Sequence, residues 1–208
     1  MNSKLARRGT RGMHPKGRDV QQNSGAKRRT LPEYLSKDEV DALMLAAEHR
    51  RAAILMALQW RAGLRISEAI KIRAADLDLD ADQPTLRVRQ GKGNRDRIVP
   101  IHPELCGALH TILAFGDLKA EQPIIGVSRQ TGWRWIKAAQ ARAEELGTLR
   151  PGKVVKTHTL RHSAARHWLV NRVPINYVQR WLGHASMQTT LVYLEIVPDQ
   201  LGFMAEVP

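Results

Sequence analysis

The chain has 208 residues, with 33 Lys and Arg against 20 Asp and Glu, a formal net charge of +13. This length suits one ordinary catalytic domain with a real core, and the charge favours a polyanion such as nucleic acid as partner, although solubility alone also explains a basic chain. The single cysteine, Cys106, excludes an internal disulfide. Because no apolar run resembles a signal peptide or a membrane span, we expect a cytoplasmic, nucleoid-associated protein without a membrane partner.

The charge is concentrated at the start of the chain. Residues 1–29 carry nine basic side chains against one acidic residue, a net charge of +8. With almost no apolar periodicity, such a segment cannot offset its ordering entropy, so residues 1–30 are predicted to form a flexible arm and residues 31–208 the folded domain. The arm is either a tether that binds phosphates without sequence preference or a disordered leader.

The folded domain is predicted to begin with helices. Ser36 followed by Glu39 is typical of a capping box. A second helix, Arg51–Ala62, is apolar on most faces and is predicted to be buried, with Gly63 as its C-cap. Ser67 is the expected cap of a short third helix.

A β-hairpin is predicted next. Thr85–Gln90 alternates apolar with basic residues, and Arg95–Ile101 is the expected returning strand. The glycines between them favour a tight turn with Lys92 at its tip.

The rest of the chain predicts five more helices, which makes the fold class mainly α with a small antiparallel β-sheet (α+β). The five helices are Pro103–Phe115, a long one from Ser128 to Gly147, one of about fourteen residues capped by Thr157, one from Pro174 to Gly183, and Thr189–Leu194. Apolar residues at helical spacing predict the inner face of the long helix, with Leu146 as the last of them.

A basic and a titratable side chain stand three residues apart at the start of one predicted helix. His158 and Arg161 project from one face, where the helix N-terminus adds positive potential, so an anion is the natural occupant, and a solvated helix face is the alternative. His158 and His162 have the spacing of a metal pair. No Glu follows the first histidine and neighbouring cations repel a metal ion, so neither a metal nor another cofactor is predicted.

Four motifs, in order, resemble those of the tyrosine recombinase, or phage integrase, family. They are Arg61–Glu68 with Gly63, Leu64, Arg65, Ser67 and Glu68, the Gly91–Arg97 hairpin, His158–His162, and Leu182, Gly183 and His184 followed by Thr189, Thr190 and Tyr193. The resemblance covers residues 31–208. It implies a mostly helical catalytic domain that cuts and rejoins DNA through a 3′-phosphotyrosyl intermediate, with these catalytic residues: Arg65, Lys92, His158, Arg161, His184 and Tyr193.

Such chemistry needs positive charge. A free tyrosine has a pKa near 10, so phenolate at pH 7 costs about 4 kcal/mol, and the phosphodiester repels an anionic nucleophile. Arg65 and Arg161 are predicted to donate paired hydrogen bonds to the non-bridging oxygens and to stabilise the transition state. Glu68 either orients Arg65 or a histidine, or is an ordinary acid in the first turn of a helix.

The remaining roles concern protons. Lys92 is predicted to protonate the leaving 5′ oxygen, with its pKa lowered by the two arginines. His158 is the expected acceptor of the Tyr193 proton, and His184 the expected hydrogen-bond donor to the phosphate. Taken alone, Tyr193 could equally be an aromatic that packs a short helix.

The resemblance also implies partners, namely double-stranded DNA and a homotetramer assembled on it. Most members of the family carry a separate DNA-clamping domain before the catalytic one, and residues 1–30 are too short and too polar for that. An accessory DNA-binding protein or a neighbouring copy is the expected substitute. Three functions are open: a site-specific recombinase, a type IB topoisomerase-like nicking-closing enzyme, and a catalytically silent DNA-binding regulator of a full-length recombinase.

Overall fold

The structure is a computed structural model that describes residues 32–89, 96–116 and 118–196. They belong to the second of two compact units of the chain, residues 31–208, and the predicted arm at residues 1–30 lies outside them. No helix in this described part is long and apolar enough to cross a membrane. Its elements are α1 Lys37–Leu45, α2 Arg50–Arg61, α3 Ile66–Ala69, β1 Leu77–Asp78, β2 Thr85–Val88, β3 Arg97–Pro100, α4 Pro103–Phe115, α5 Arg129–Glu145, α6 Thr159–Val170, α7 Ile175–Leu182, α8 Met187–Leu191 and the 3-10 helices Ala74–Asp76 and Leu194–Ile196. The predicted fold class, mainly α with a small antiparallel sheet, is confirmed.

The first two helices form as their sequence signals predict. Ser36 caps α1, since its hydroxyl accepts the backbone N–H of Glu39 and the Glu39 carboxylate accepts that of Ser36. α2 begins at Arg50, where the imidazole of His49 accepts a backbone N–H of the first turn. As expected from its apolar residues, α2 is buried along most of its length.

The corner between α2 and α3 depends on Gly63, which follows the α2 C-cap. Its φ of +61° lies in the left-handed region that glycine tolerates best, and a Cβ there would lie 2.7 Å from a tryptophan ring of α6. The predicted cap at Ser67 is wrong. The N-cap of α3 is Arg65, because the Glu68 carboxylate accepts the Arg65 backbone N–H at 2.8 Å and satisfies that helix terminus itself.

The predicted hairpin pairing is confirmed, and the sheet has one further strand. β2 pairs antiparallel with β3, with Leu86 opposite Val99. β1, which the sequence did not predict, pairs antiparallel with β2 and completes the order β1-β2-β3. The predicted tip, residues 90–95 with Lys92, lies outside the described residues.

The fourth helix has the predicted bounds, and the long fifth helix is shorter than predicted. The Ser128 hydroxyl accepts a backbone N–H at the start of α5, as its position indicates. The expectation that Leu146 faces inward is wrong, because it is the C-cap and its side chain is exposed. Leu149, on the loop beyond, is buried against α5 instead.

The last three helices carry the second half of the predicted site. The predicted cap Thr157 is wrong: its carbonyl accepts the side-chain amide of Gln59, and α6 begins two residues later with His158 as N-cap. As predicted, α7 ends at Gly183, which adopts the left-handed conformation. The predicted helix Thr189–Leu194 is divided into α8 and the final 3-10 helix.

Two clusters of buried side chains hold these elements together. α2 is central to the larger one and contacts α1, α3, α4, α5 and α6, where each fully buried large side chain stabilises the fold by about 1.5–3 kcal/mol. The smaller cluster packs Leu169 of α6, Val178 and Leu182 of α7, and Tyr193. The two clusters therefore form a packed framework that supports the motif residues of the predicted site.

Candidate active site

A single carboxylate lies at the centre of the cationic side chains. Glu68, with a side chain only 9% exposed, accepts hydrogen bonds from Arg65 at 2.7 Å and from two nitrogens of Arg97 at 2.8 and 3.1 Å. Arg161 Nη1 lies 3.7 Å from Glu68 Oε2. Burial raises the pKa of Glu68, but the Arg97 hydrogen bond and charge, with help from Arg65 and Arg161, lower it to about 2. The carboxylate is ionised at neutral pH and orients the Arg65 guanidinium.

Arg161 joins three segments that are distant in sequence. Its guanidinium donates to the carbonyl of Gly63 at 2.7 Å and to that of Leu182 at 2.6 Å. The residue is 2% exposed, and burial together with the charge of Arg65 lowers the pKa of its guanidinium to about 9. Arg161 is still charged at neutral pH, so it provides a fixed positive charge at the junction of α2, α6 and α7.

Tyr193 lies against this cationic region. Its residue is 3% exposed, and its ring packs in the smaller core cluster and stacks on His184 with the ring centroids 6.1 Å apart. The hydroxyl is 2.7 Å from Nδ1 of His162. Burial raises the pKa of Tyr193, opposed by the charges of Arg161 and Arg65. The phenol is therefore protonated at neutral pH and hydrogen-bonded to a histidine.

That histidine is not the one the sequence singled out for this contact. His158 was the expected acceptor of the Tyr193 proton, whereas His162, one helical turn later, is the residue that reaches the hydroxyl. The two imidazole centroids are 6.0 Å apart. Burial, then the charges of His158 and Arg161, lower the pKa of His162 to about 4, and burial followed by the Arg161 charge also lowers the pKa of His158. Both rings are neutral at pH 7.

His184 is held by a hydroxyl group of α8. Its Nδ1 lies 2.9 Å from the hydroxyl oxygen of Thr190, which is fully buried in α8. Burial, followed by the charges of Arg161 and Arg65, lowers the pKa of His184 to about 3. His184 is therefore a neutral ring in a fixed orientation.

The structure brings most of the predicted residues together. Arg65 and Arg161 meet through Glu68, while His158, His184 and Tyr193 are linked through His162 and ring stacking; Lys92 lies outside the described residues. Sequence reasoning included Arg97 and His162 in its motifs but gave neither a role in the site. The spacing of His162 four residues after His158 placed both rings on one helix face, whereas nothing local in the sequence indicated the partners of Arg97.

An open cleft of about 780 Å³ leads away from Arg65. Its walls include the cationic Lys71, Arg73 and Arg89, with Asp76 paired to Arg89. Among residues 32–89, 96–116 and 118–196, no group of three or more histidine, cysteine or acidic side chains is arranged to hold a metal ion. The arrangement can bind an anion through guanidinium groups beside a phenol whose proton has a neutral acceptor.

The chain matches the sequence pattern of the phage integrase family over residues 33–198. It is 35% identical over 184 residues to a tyrosine recombinase of Thermosipho africanus, which covers 86% of this chain and 62% of that protein. It is 31% identical over 183 residues to tyrosine recombinase XerA of Thermococcus onnurineus, covering 83% of this chain and 61% of that protein. The chain thus spans about three fifths of the length of these curated relatives.

Solved structures share the fold. The crystal structure of XerA recombinase has a TM-score of 0.69 and 30% identity, over 84% of this chain and 64% of that one. A lambda integrase dimer bound to a COC′ core site is similar in fold, with a TM-score of 0.63, 21% identity, and coverage of 82% and 50% of the two chains. With its motifs in family order, its helices around a small sheet, and relatives at this identity, the chain belongs to the phage integrase family of tyrosine recombinases.

Proposed function

We propose that this protein is a site-specific DNA recombinase that cleaves and rejoins strands through a 3′-phosphotyrosyl intermediate. The observation that carries the proposal is the Tyr193 hydroxyl, 2.7 Å from a neutral histidine and beside the guanidinium groups of Arg65 and Arg161. A nucleophile, a proton acceptor and an anion-binding wall are what phosphoryl transfer to a phenol requires. The relatives named tyrosine recombinases support this choice.

The proposed role of the arginines is to bind the scissile phosphate. Arg65 lines the open cleft, and its guanidinium is held by Glu68 so that it is fixed before DNA arrives. Arg161 contributes a buried charge whose orientation is fixed by two carbonyls. Cations fixed in advance stabilise the charge that develops on the phosphate without reorganising during the reaction.

In the proposed reaction the Tyr193 oxygen attacks phosphorus as the bond from phosphorus to the 5′ oxygen breaks. The Tyr193 proton passes to a neutral imidazole, and the observed contact favours His162 over His158 as its first acceptor. We retain Lys92 as the proposed acid that protonates the 5′ oxygen, and His184, held by Thr190, as the donor to a non-bridging oxygen. Because the phosphotyrosine bond conserves the strand energy, a 5′-hydroxyl can reverse the step without ATP.

The proposed substrate is double-stranded DNA. Four copies of the protein assemble on two DNA sites, and an accessory DNA-binding protein strengthens their binding to DNA. The net charge of +13 and the cationic cleft beside Arg65 support a polyanionic substrate. The similar lambda integrase structure is a dimer bound to its core site. This activity would operate in the cytoplasm, at the nucleoid.

The test is to trap the covalent adduct. A footprint of the purified protein on its own flanking genomic DNA defines a site, and a nicked duplex of that site then traps the adduct because the short 5′-hydroxyl strand diffuses away. Mass spectrometry should map the nucleotide to Tyr193, and Tyr193→Phe should bind DNA without forming an adduct. Tyr177→Phe, which alters a half-exposed tyrosine of α7, is the matched control and should react normally.

Three results would contradict the proposal. An adduct that persists in Tyr193→Phe, or that maps elsewhere, would show that another group is the nucleophile. Relaxation of supercoils without recombinant products would favour a type IB topoisomerase-like enzyme. Binding without any adduct would favour a catalytically silent regulator.

A further inference from the structure

Arg97 is a buried arginine at the end of the hairpin motif, and the sequence analysis gave it no role. It is the first residue of β3, on the strand that returns from the segment containing Lys92, and its side chain is 7% exposed. Its Nε donates to the carbonyl of Trp181 at 2.7 Å, and its two terminal nitrogens donate to the two oxygens of Glu68 at 3.1 and 2.8 Å. One guanidinium therefore joins the sheet, α3 and the last turn of α7.

These contacts direct the Arg97 guanidinium toward the protein itself. Each of its three nitrogens has a protein acceptor, and the paired geometry on Glu68 is the strong bidentate form. Arg65, by contrast, is 20% exposed and lines the cleft. Arg97 therefore contacts Glu68, which lines the cleft beside Arg65.

The stem of Arg97 also fixes the end of α7. A Cβ on Gly183 would lie 3.0 Å from the Arg97 Cδ and 3.2 Å from two of its nitrogens, so the backbone there packs directly on the side chain. Gly183 has a φ of +66° and ends the helix, and His184 is the next residue. The position of His184 is therefore coupled to the Arg97 side chain through one peptide unit.

We propose that Arg97 is a positioning residue for DNA cleavage. It holds the Glu68 carboxylate in the orientation that aims Arg65 into the cleft, and it holds the α7 terminus from which His184 projects. This inference rests on the proposed function, since it names what fixes the phosphate-binding groups of that site.

The first test compares two substrates in the trapping assay. Arg97→Met should lower the rate of adduct formation about 100-fold, as a displacement of about 1 Å in a catalytic group can, while the Kd for DNA changes less than about twofold. A methylphosphonate at the scissile position is neutral, so its transition state depends less on stabilisation by the guanidinium groups. With this substrate, the rate of adduct formation by Arg97→Met should fall only about tenfold. Arg97→Lys, which keeps the charge but loses the bidentate geometry, should fall between Arg97→Met and the unaltered protein.

The matched control is Arg87→Met, which removes an exposed arginine of the same strand pair that is paired with Asp96. It should leave both rates unchanged. Equal losses on phosphodiester and methylphosphonate in Arg97→Met would mean that the residue only supports the fold, and the proposal would be wrong.

A second measurement does not depend on catalysis. In the free protein, the side-chain N–H signal of Arg65 and the ring signals of His184 should shift in nuclear magnetic resonance spectra of Arg97→Lys, with smaller changes in Arg87→Met. Unchanged signals would overturn the positioning role. If the unaltered protein formed no adduct, the proposed function would fail, while these spectra would still decide whether Arg97 orients the two groups.

Discussion

The two halves of the site are held by different forces. The cation cluster, which we define as Arg65, Glu68, Arg97 and Arg161, is an ionic network in which one carboxylate and three backbone carbonyls fix three guanidinium groups. The nucleophile segment, residues 183–196 and named for the proposed nucleophile Tyr193, is held mainly by apolar packing and by neutral hydrogen bonds of its imidazole and phenol groups, with one hydrogen bond from Arg166 to the carbonyl of Ile196. The first half provides permanent charge, and the second keeps its reactive groups uncharged.

Under the proposed function, this difference follows from what each half must do. Cations stabilise a transition state best when they are fixed beforehand, so a buried network that orients them is useful even where it adds little stability. A phenol must lose its proton only when the phosphate arrives, and burial keeps the proton on Tyr193 until then. The stability of the two halves should therefore respond differently when the pH is lowered, when a charged group is removed, or when a hydroxyl group is removed.

The largest effect is expected from removing the anion of the cation cluster. Glu68→Ala leaves Arg97 and Arg161 buried without their carboxylate, and breaking a buried pair in this way costs about 3–5 kcal/mol. We expect that loss in the free energy of unfolding, measured by urea denaturation. Glu121→Ala removes the exposed partner of Arg73 and should cost about 0–1 kcal/mol. Similar losses in the two variants would mean that the network is not the main support of the cluster.

The sequence predicted which motif residues lie together better than it predicted the residues that support them. Arg65, Arg161, His184 and Tyr193 are carried by short motifs, and the structure brings them together. Arg97 reaches partners 29 and 84 residues away, and no local pattern encodes contacts at such separations.

The fold was predictable where local physics decides it. The bounds of α4 and the Ser36 cap of α1 were correct, because proline at a helix start and a capping box are local signals. The predicted caps at Ser67 and Thr157 were wrong. The Glu68 carboxylate accepts the backbone N–H at the start of α3, and a hydrogen bond from the Gln59 side chain to its carbonyl holds Thr157 outside α6.

The next effect concerns acid, which should weaken the nucleophile segment first. The pKa of His162 is about 4 in the fold against an ordinary 6.5, so the unfolded chain takes up a proton at a pH where the folded chain does not. Stability from this group is complete above pH 6.5 and falls as the pH drops toward 4, by about 2–3 kcal/mol. Glu68, with a pKa of about 2, stays ionised throughout that window.

Urea denaturation at several pH values measures this slope, and His162→Gln should flatten it. His184, whose pKa is lowered to about 3, contributes in the same direction. Amide hydrogen exchange at pH 4.5 should show faster opening in residues 183–196 than in α3. Equal protection of the two would contradict the separation of the halves.

The smallest effect isolates one hydrogen bond within the nucleophile segment. Thr190→Val keeps the shape of a fully buried side chain but removes the hydroxyl that lies 2.9 Å from His184 Nδ1. We expect a loss of about 1 kcal/mol in the free energy of unfolding and a changed tautomer ratio of the His184 ring by nuclear magnetic resonance. Thr189→Val, at the exposed neighbouring position, should alter neither. If the ring signals of His184 were the same in both variants, packing against Tyr193 would be enough to orient it, and the neutral hydrogen bond would not be part of what holds this half.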